Sequence, residues 1–267
     1  MFNGFYNLAS GMLYQNRNLN TISNNMVNVS TPGYKSDRMV STTFKDEILY
    51  RNGNLNKNNS TQIGSASRIR AVGITKTTYN QGNVEETGGN LDFALTKPGF
   101  FAVQDTEGNR LYTRNGSFQI DQEGYLCLSS SGRVLGEDGN PIEMTSDHIS
   151  VDKSGNIYEV PLKGLGTDED GASSEDEEPQ LLGKIGVFNV DDETQLVKGN
   201  NGTFTSTADA KTVDGGIQWK SLERSNVDTI EEMTAMMTSQ RASQSAAQVL
   251  KMYDQLMGKI VSDIGRV

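Results

Sequence analysis

The sequence predicts an α+β fold, in which long N- and C-terminal helices form a coiled-coil-like pair and the central region forms a mostly antiparallel β domain. Apolar residues recur in alternating steps of three and four near both ends of the chain, which is the spacing of a coiled-coil helix. Turn residues followed by short predicted strands recur through the middle, as in β-hairpins. We therefore divide the 267 residues into an N-terminal helix and turn (1–35), a linker with the first strands (36–80), a central β domain (81–224) and a C-terminal helix (225–267).

The first helix is predicted to run from Phe2 to Val29. Its apolar residues form one stripe, with Gln15 as the single polar member: Phe5, Leu8, Met12, Leu19, Ile22, Met26 and Val29. A stripe this narrow is the a/d seam of a coiled coil, because a helix buried in a globular core presents a broader apolar face. Pro32-Gly33 is predicted to turn the chain after the helix.

The last helix is predicted to begin with Ser225-Asn226 as N-cap residues, and its first turns carry carboxylates that favour the helix dipole. Its later apolar residues again alternate in fours and threes: Ala246, Leu250, Tyr253, Met257, Ile260 and Ile264. An earlier apolar set has a different phase: Val227, Ile230, Met233 and Met237. Residues 239–248 between the two sets are small or polar, with Arg241 the one charged residue.

Two arrangements are compatible with these seams. Single helices with so little apolar surface are marginal in water. The helices therefore either pair with each other and with other copies of the chain, becoming ordered on assembly, or form an intramolecular hairpin that caps the β domain. Periodicity supports both arrangements equally.

The central region carries turns at Glu107-Gly108, Glu123-Gly124, Asp138-Gly139 and Ser154-Gly155. Each turn is followed by a short predicted strand, and the regular spacing predicts a meander of adjacent hairpins. The predicted strands are 110–112, 125–127, 141–143 and 157–159, with a further strand at 185–190. An acidic loop, 164–179, is predicted to be a flexible surface insertion.

Charge and composition exclude several classes of protein. The net charge of −10 argues against nucleic-acid binding, which needs a basic surface. The one cysteine, Cys127, is expected to be a buried residue of a strand rather than a reactive thiol. No apolar stretch approaches the length of a membrane span, so direct membrane insertion is not expected, and no Sec-type signal is recognisable.

The sequence also lacks a convincing reactive site. The acidic loop places Gly166 where the first carboxylate ligand of an EF-hand would be required. The sole histidine, His148, has no Gly-x-Ser-x-Gly motif to act with, and no Cys/His set is available for zinc. We therefore predict no catalytic residue, no cofactor and no metal, and a protein that is not an enzyme.

Several separated motifs carry a resemblance to a known family. The segment 23–35, which ends Thr31-Pro32-Gly33-Tyr34-Lys35, resembles the N-terminal signature of bacterial flagellar rod, hook and hook-associated axial proteins. Residues 225–228 with 231–233 and 239–242 resemble the matching C-terminal signature, and 88–95, 99–103 and 112–118 are similar to the central β domain of the family. The length of the chain is most similar to the distal-rod members, with the proximal-rod members next, since hook proteins are usually larger.

The resemblance implies a structural subunit of the flagellar basal-body rod. Such proteins are exported unfolded by the flagellar type III apparatus and self-assemble into a helical tube, which serves as drive shaft and export channel. The implied partners are other copies of the chain, neighbouring rod and hook proteins and the export apparatus. A hook or hook-associated protein is the alternative within the family. Outside the family, the alternatives are a β-rich ligand-binding module dimerised by its helices and a wall-lytic enzyme.

The residues assigned to the assembly interface lie in both terminal segments. Asn25 and Asn28 are expected to make helix-end or intersubunit hydrogen bonds rather than to bind a ligand. The full set is Phe5, Leu8, Met12, Leu19, Ile22, Asn25, Met26, Asn28, Val29, Pro32, Gly33, Val227, Ile230, Met233, Met237, Leu250, Tyr253 and Met257.

Overall fold

The structure is a computed structural model that describes residues 2–43, 47–51, 61–66, 70–71, 73–129, 131–144, 146–160, 180–190, 192–208, 210–214 and 216–265. The chain forms two compact units. The helix unit comprises Met1–Val27, Asp37–Thr78 and Val227–Val267, and the β unit comprises Asn28–Ser36 and Tyr79–Asn226. The acidic loop, which was compared above with an EF-hand, lies outside the described residues.

The helix unit contains both long helices, α1 (Phe2–Val27) and α2 (Thr229–Ile264). Its strands are β1 (Asp37–Met39), β2 (Thr42–Thr43), β3 (Glu47–Arg51), β4 (Thr61–Ala66), β5 (Arg70–Ala71) and β6 (Thr75–Thr77). They pair as β1–β6, β2–β5 and β3–β4, all antiparallel, so the outgoing and returning segments run alongside each other as a two-stranded ribbon. Among the residues that the structure describes, no helix has the length and apolar character needed to cross a membrane.

Both helix boundaries differ slightly from the predicted ones. α1 ends at Val27 rather than at Val29. α2 begins at Thr229, and its N-cap is Asp228, whose carboxylate accepts hydrogen bonds from the amides of Ile230 (2.8 Å) and Glu231 (3.3 Å). The prediction of Ser225-Asn226 as the cap was wrong because the Asn226 side chain is used elsewhere: it accepts from the Ser36 amide at 2.8 Å.

The β unit contains the remaining strands. They are β7 (Val84–Glu86), β8 (Phe93–Leu95), β9 (Phe100–Gln104), β10 (Arg110–Thr113), β11 (Gln119–Ile120), β12 (Leu126–Leu128), β13 (Gly132–Val134), β14 (Ile149–Val151), β15 (Asn156–Glu159), β16 (Gln180–Lys184), β17 (Val187–Asn189), β18 (Leu196–Lys198), β19 (Thr203–Ser206), β20 (Lys211–Thr212), β21 (Ile217–Trp219) and β22 (Ser221–Glu223). Two short 3-10 helices, Glu193–Gln195 and Asn200–Gly202, lie beside β18.

The predicted meander is present only in part. Strands β11, β12 and β13 are consecutive hairpins, but β13 then pairs with β9, which also pairs with β10 and β17. The four predicted turns are confirmed, since Gly108, Gly124, Gly139 and Gly155 all have φ between 78° and 86°. The segment 141–143 is not a strand, because its residues form only isolated bridges to Leu135 and Tyr125.

The core of the β unit lies on both sides of β9. Successive side chains of a strand point to opposite faces. Phe101 accordingly packs in one apolar cluster with Phe118 and Leu126, while Phe100 packs in another with Phe204. Cys127 on β12 is half-buried rather than fully buried, and burial raises the pKa of its thiol. This unit therefore has a core of its own.

Candidate assembly interface

The two long helices pack against each other within the helix unit. Three contacts define their relative direction. Asn25 of α1 is hydrogen-bonded to Glu232 of α2, Gln15 to Ser239, and a Cβ at Gly4 would lie 3.8 Å from the Tyr253 hydroxyl. As residue numbers fall along α1 they rise along α2, so the helices are antiparallel.

The contact face of α2 is a narrow seam. Apart from Ala235, its less exposed positions recur in alternating steps of four and three: Glu232, Met236, Ser239, Ser243, Ala246, Leu250, Tyr253 and Met257. This is an a/d heptad pattern. The seam contains the predicted Leu250, Tyr253 and Met257, and the small residues in its centre allow the backbones to approach closely.

The facing seam of α1 contains most of the predicted stripe. Leu8, Met12, Leu19 and Met26 are half-buried, and Ile22 is buried. Gln15, the polar member, has a polar counterpart, because the hydroxyl of Ser239 donates to its Oε1 at 2.6 Å. A polar pair within an apolar seam favours one register over its alternatives.

Asn25 fixes the C-terminal end of α1. It is 1% exposed. Its Nδ2 donates to the Asp37 carbonyl (2.8 Å) and to Glu232 Oε1 (2.7 Å), and its Oδ1 accepts from the Asp37 amide (3.0 Å). A buried amide with all of these bonds holds α1, β1 and α2 together, because leaving any of them unpaired would cost desolvation energy.

Other apolar residues of the two helices remain exposed among the residues that the structure describes. Ile230 is 77% exposed, and Met233 and Met237 are about half exposed, so these three residues of the early set face away from the seam. Val227, the fourth, precedes α2 and is half-buried. The large apolar side chains exposed on the helices are Phe5, Tyr6, Leu13, Val27, Ile230, Met233, Met237, Val249, Met252, Leu256, Ile260 and Val261. An apolar surface of this kind is typical of a site of protein association.

The predicted residues between 28 and 33 belong to the β unit. Asn28, half-buried, accepts a hydrogen bond at its Oδ1 from the Thr31 hydroxyl (3.2 Å). Val29 and Pro32 are half-buried, whereas Gly33 is buried with φ of 68°. A Cβ at Gly33 would lie 2.3 Å from the carbonyl carbon of Arg114, so glycine is required here for both conformation and space.

Sequence reasoning missed a buried ionic cluster in the β unit. Glu223 Oε1 accepts from Lys35 Nζ (2.6 Å) and from the Gly82 amide (3.0 Å), and its Oε2 accepts from Arg114 Nη1 (2.9 Å). The three charged side chains are 5% exposed or less. Lys35 Nζ also donates to the carbonyl of Asn80 (2.8 Å). The cluster joins four segments that are distant in sequence.

Three further contacts hold the segment around Lys35. The Gly33 amide donates to the Glu223 carbonyl at 2.7 Å. The Lys198 ammonium lies 4.0 Å from the centre of the Tyr34 ring and donates to the Lys35 carbonyl at 2.8 Å. Burial lowers the pKa of Lys35, and the charge of Glu223 opposes this shift. The one available signal was Lys35 beside Tyr34 in the N-terminal motif, which does not identify Glu223 as its partner.

The described residues offer little for ligand chemistry. No group of three or more His, Cys, Asp or Glu residues within the described ranges could hold a metal ion. A cavity of about 170 Å³ in the β unit is lined by Glu137, Lys184, Asp214 and neighbouring residues. It is smaller than the roughly 300–1,000 Å³ of ordinary ligand pockets.

Three family models match the chain at its two ends and in its centre. Residues 5–35 match "Flagella basal body rod protein", 94–159 match "Flagellar hook protein FlgE/F/G D1 domain", and 220–263 match "Flagellar basal body rod FlgEFG protein C-terminal". The chain is 32% identical to the flagellar basal-body rod protein FlgG of Buchnera aphidicola subsp. Acyrthosiphon pisum, over 94% of this chain and 95% of that protein. The chain belongs to the flagellar basal-body rod protein family.

Other members of the rod family match over nearly their whole length. The chain is 29% identical to FlgG of Bacillus subtilis, covering 98% of this chain and 99% of that protein. It is 28% identical to the rod protein FlgF of Caulobacter vibrioides over the full length of both. The resemblance found in the sequence motifs is thereby confirmed. The protein is a structural rod subunit of the flagellar basal body.

Proposed function

We propose that this chain is an axial subunit that self-assembles through its terminal helices into the helical tube of the rod. The tube transmits torque as a drive shaft and encloses the channel through which later subunits are exported. Its partners are other copies of the chain, neighbouring rod and hook proteins, and the flagellar type III export apparatus. The chain is not an enzyme in this proposal.

The observation that carries the proposal is the exposed apolar surface of α1 and α2. The helices contact each other through one narrow seam, as a coiled-coil-like antiparallel pair does. Ile230, Met233 and Leu256 nevertheless remain more than half exposed. A helix pair with apolar residues on its outer surface gains stability when further helices cover them, as they would in a tube wall.

The interface is proposed to comprise two kinds of residue. Seam residues such as Ile22 and Leu250 hold α1 and α2 in the relative orientation that neighbouring copies bind. Outward residues such as Ile230 and Met237 contact those neighbours directly. Contacts that repeat head to tail without closing produce a filament, whereas a two-fold contact would stop at a dimer.

A matched pair of α1 variants tests the proposal. Ile22→Asp introduces a carboxylate at a buried seam position, which is costly without a partner. Asn20→Asp introduces the same group two residues away, at an exposed position. We expect Ile22→Asp cells to lose motility and to lack the protein in purified basal bodies, while Asn20→Asp cells swim normally.

The fluorescence of Trp219, the only tryptophan, reports whether the β unit remains folded in both variants. Its indole Nε1 donates to the Asn90 carbonyl at 2.7 Å inside that unit. Wild-type motility and rod incorporation of Ile22→Asp would remove the assembly role assigned to the helices.

A further inference from the structure

Six of the exposed large apolar residues of α2 form two separate stripes, and Ile260 and Val261 follow them near the end of the helix. With Met236, Leu250 and Met257 at seam positions a, the N-terminal stripe (Ile230, Met233 and Met237) occupies heptad positions b, e and b. The C-terminal stripe (Val249, Met252 and Leu256) occupies positions g, c and g. Positions b and e flank the seam on one side and positions c and g on the other. The stripes therefore lie on opposite flanks and at opposite ends of the helix.

Apart from Val261 at position e near the end of the helix, each flank carries large apolar residues over one half only. The b/e flank continues beyond its stripe with Gln240, Gln244 and Lys251. The c/g flank carries Glu231, Thr238 and Ser245 in the half that precedes its stripe. One copy cannot bring its own stripes together, because they face away from each other on a continuous helix. A second copy can supply the complementary stripe.

We propose that neighbouring copies pack α2 against α2 in the same direction, with the N-terminal stripe of one copy on the C-terminal stripe of the next. The match is position by position: Ile230 opposite Val249, Met233 opposite Met252 and Met237 opposite Leu256. Each pair is separated by nineteen residues, which at 1.5 Å per residue is an axial stagger of about 28 Å between neighbours.

The small and polar residues in the first half of the c/g flank disfavour packing without this stagger. Side by side at equal height, Met233 would face Ala235 between Glu231 and Thr238, so it would meet one methyl group and two polar residues instead of an apolar stripe. Because each copy uses different flanks toward its two neighbours, the contact is heterologous and can repeat indefinitely. The inference rests on the proposed function, since it assumes that the copies assemble in a rod.

Engineered cysteine pairs in assembled rods test the stagger. The native cysteine is first removed as Cys127→Ser, and Trp219 fluorescence checks the fold of the β unit. Met233→Cys and Met252→Cys are then combined in one chain, and purified basal bodies are treated with a short thiol-specific crosslinker. We expect a ladder of covalent oligomers beyond the dimer and a depleted monomer band, because every copy is linked to both neighbours.

Control variants distinguish the staggered packing from three other arrangements: packing at equal height, a two-fold contact, and cover of the stripe by α1. The pair Met233→Cys with Thr238→Cys would be linked by packing at equal height, and we expect it to remain monomeric. Each single variant should also remain monomeric, and a dimer from Met233→Cys alone would show a two-fold contact and overturn the proposal. A ladder from Leu13→Cys with Met252→Cys, without one from Met233→Cys with Met252→Cys, would show that α1 covers the stripe instead.

The same experiment distinguishes the stagger from the proposed function. If the Cys127→Ser chain is absent from purified basal bodies although its β unit is folded, the proposed function fails and the stagger with it. If the chain is present and only a control pair forms a ladder, the proposed function stands and the stagger is wrong.

Discussion

The helix unit and the β unit are stabilised in different ways. In the β unit, four consecutive residues of β9, Phe100 to Val103, are buried, with apolar clusters on both faces of the strand. Among the described apolar side chains of α1 and α2, Ile22 alone is buried. The β unit can therefore gain most of its stability from its own core, whereas the helix unit has apolar surface left for neighbours. In a self-assembling subunit, this division leaves the helices responsive to assembly and the β unit folded without it.

The largest expected contrast compares a residue of the β core with one on the outer surface of α2. Phe101→Ala removes a fully buried ring that packs at 5.2 Å from Phe118, and we expect a loss of about 3–5 kcal/mol in the free energy of unfolding. Met252→Ala, at a half-exposed position, should change the stability of the monomer by less than about 0.5 kcal/mol. Denaturant unfolding followed by Trp219 fluorescence measures the first effect, and circular dichroism at 222 nm measures the second.

Among molecules that remain folded, Met252→Ala should reduce incorporation into the rod more than Phe101→Ala does. Met252→Ala is expected to lower the amount of protein in purified basal bodies although the monomer is as stable as the wild type. Equal loss of monomer stability in the two variants would contradict the division between a self-sufficient core and a surface reserved for neighbours.

The second contrast compares a buried with an exposed carboxylate in neighbouring strands of the β unit. Glu223→Leu leaves Lys35 and Arg114 without their common partner, and breaking a buried pair typically costs about 3–5 kcal/mol. Glu85→Leu on β7 removes an exposed ion pair with Arg224, which should contribute at most about 1 kcal/mol. Denaturant unfolding followed by Trp219 fluorescence gives the free energy of unfolding of both variants. A similar loss of free energy in the two would show that the cluster does not hold the segment 28–36 in place.

The third contrast concerns the contacts that the helix unit does make. Asn25→Ala removes three hydrogen bonds at a buried position, and we expect local opening to become easier by about 1–3 kcal/mol. Hydrogen exchange of the Asp37 amide, which donates to Asn25, measures the effect. The exposed Asn20→Ala should leave that amide protected. Unchanged exchange in Asn25→Ala would mean that the helix unit is held by its apolar seam alone.

Local patterns predicted the elements of this fold but not how distant segments combine. The spacing of Leu8, Met12, Ile22 and Leu250 identified both helices, because the residues of a seam recur every three or four positions in the sequence. The same periodicity left open what the helices pair with. The four glycine turns were found because a positive φ restricts the choice of residue.

The missed features all depend on long-range contacts. That β13 pairs with β9 as well as contacting the segment 141–143 depends on which apolar faces meet across the sheet. Lys35 and Glu223 are 188 residues apart, and no local signal links them. Asparagine is a common N-cap residue, but the side chain of Asn226 accepts a hydrogen bond from the Ser36 amide. Asp228 caps α2 instead. A residue's local propensity is overridden when a tertiary contact uses the same atoms.

The smallest expected effect is the pH dependence of the buried cluster. Burial lowers the pKa of Lys35 below its usual 10.5, with Glu223 acting in the opposite direction, so the net shift reflects two opposed effects. Between the lowered pKa of the folded protein and 10.5, the unfolded chain binds more protons at this lysine than the folded protein does. The free energy of unfolding of the wild type should therefore rise, relative to that of Lys35→Met, as the pH increases toward 10.5. Parallel denaturant titrations of the two proteins across the alkaline range measure the difference. A difference that falls with pH would mean that the attraction of Glu223 outweighs burial and that Lys35 is stabilised in its charged form.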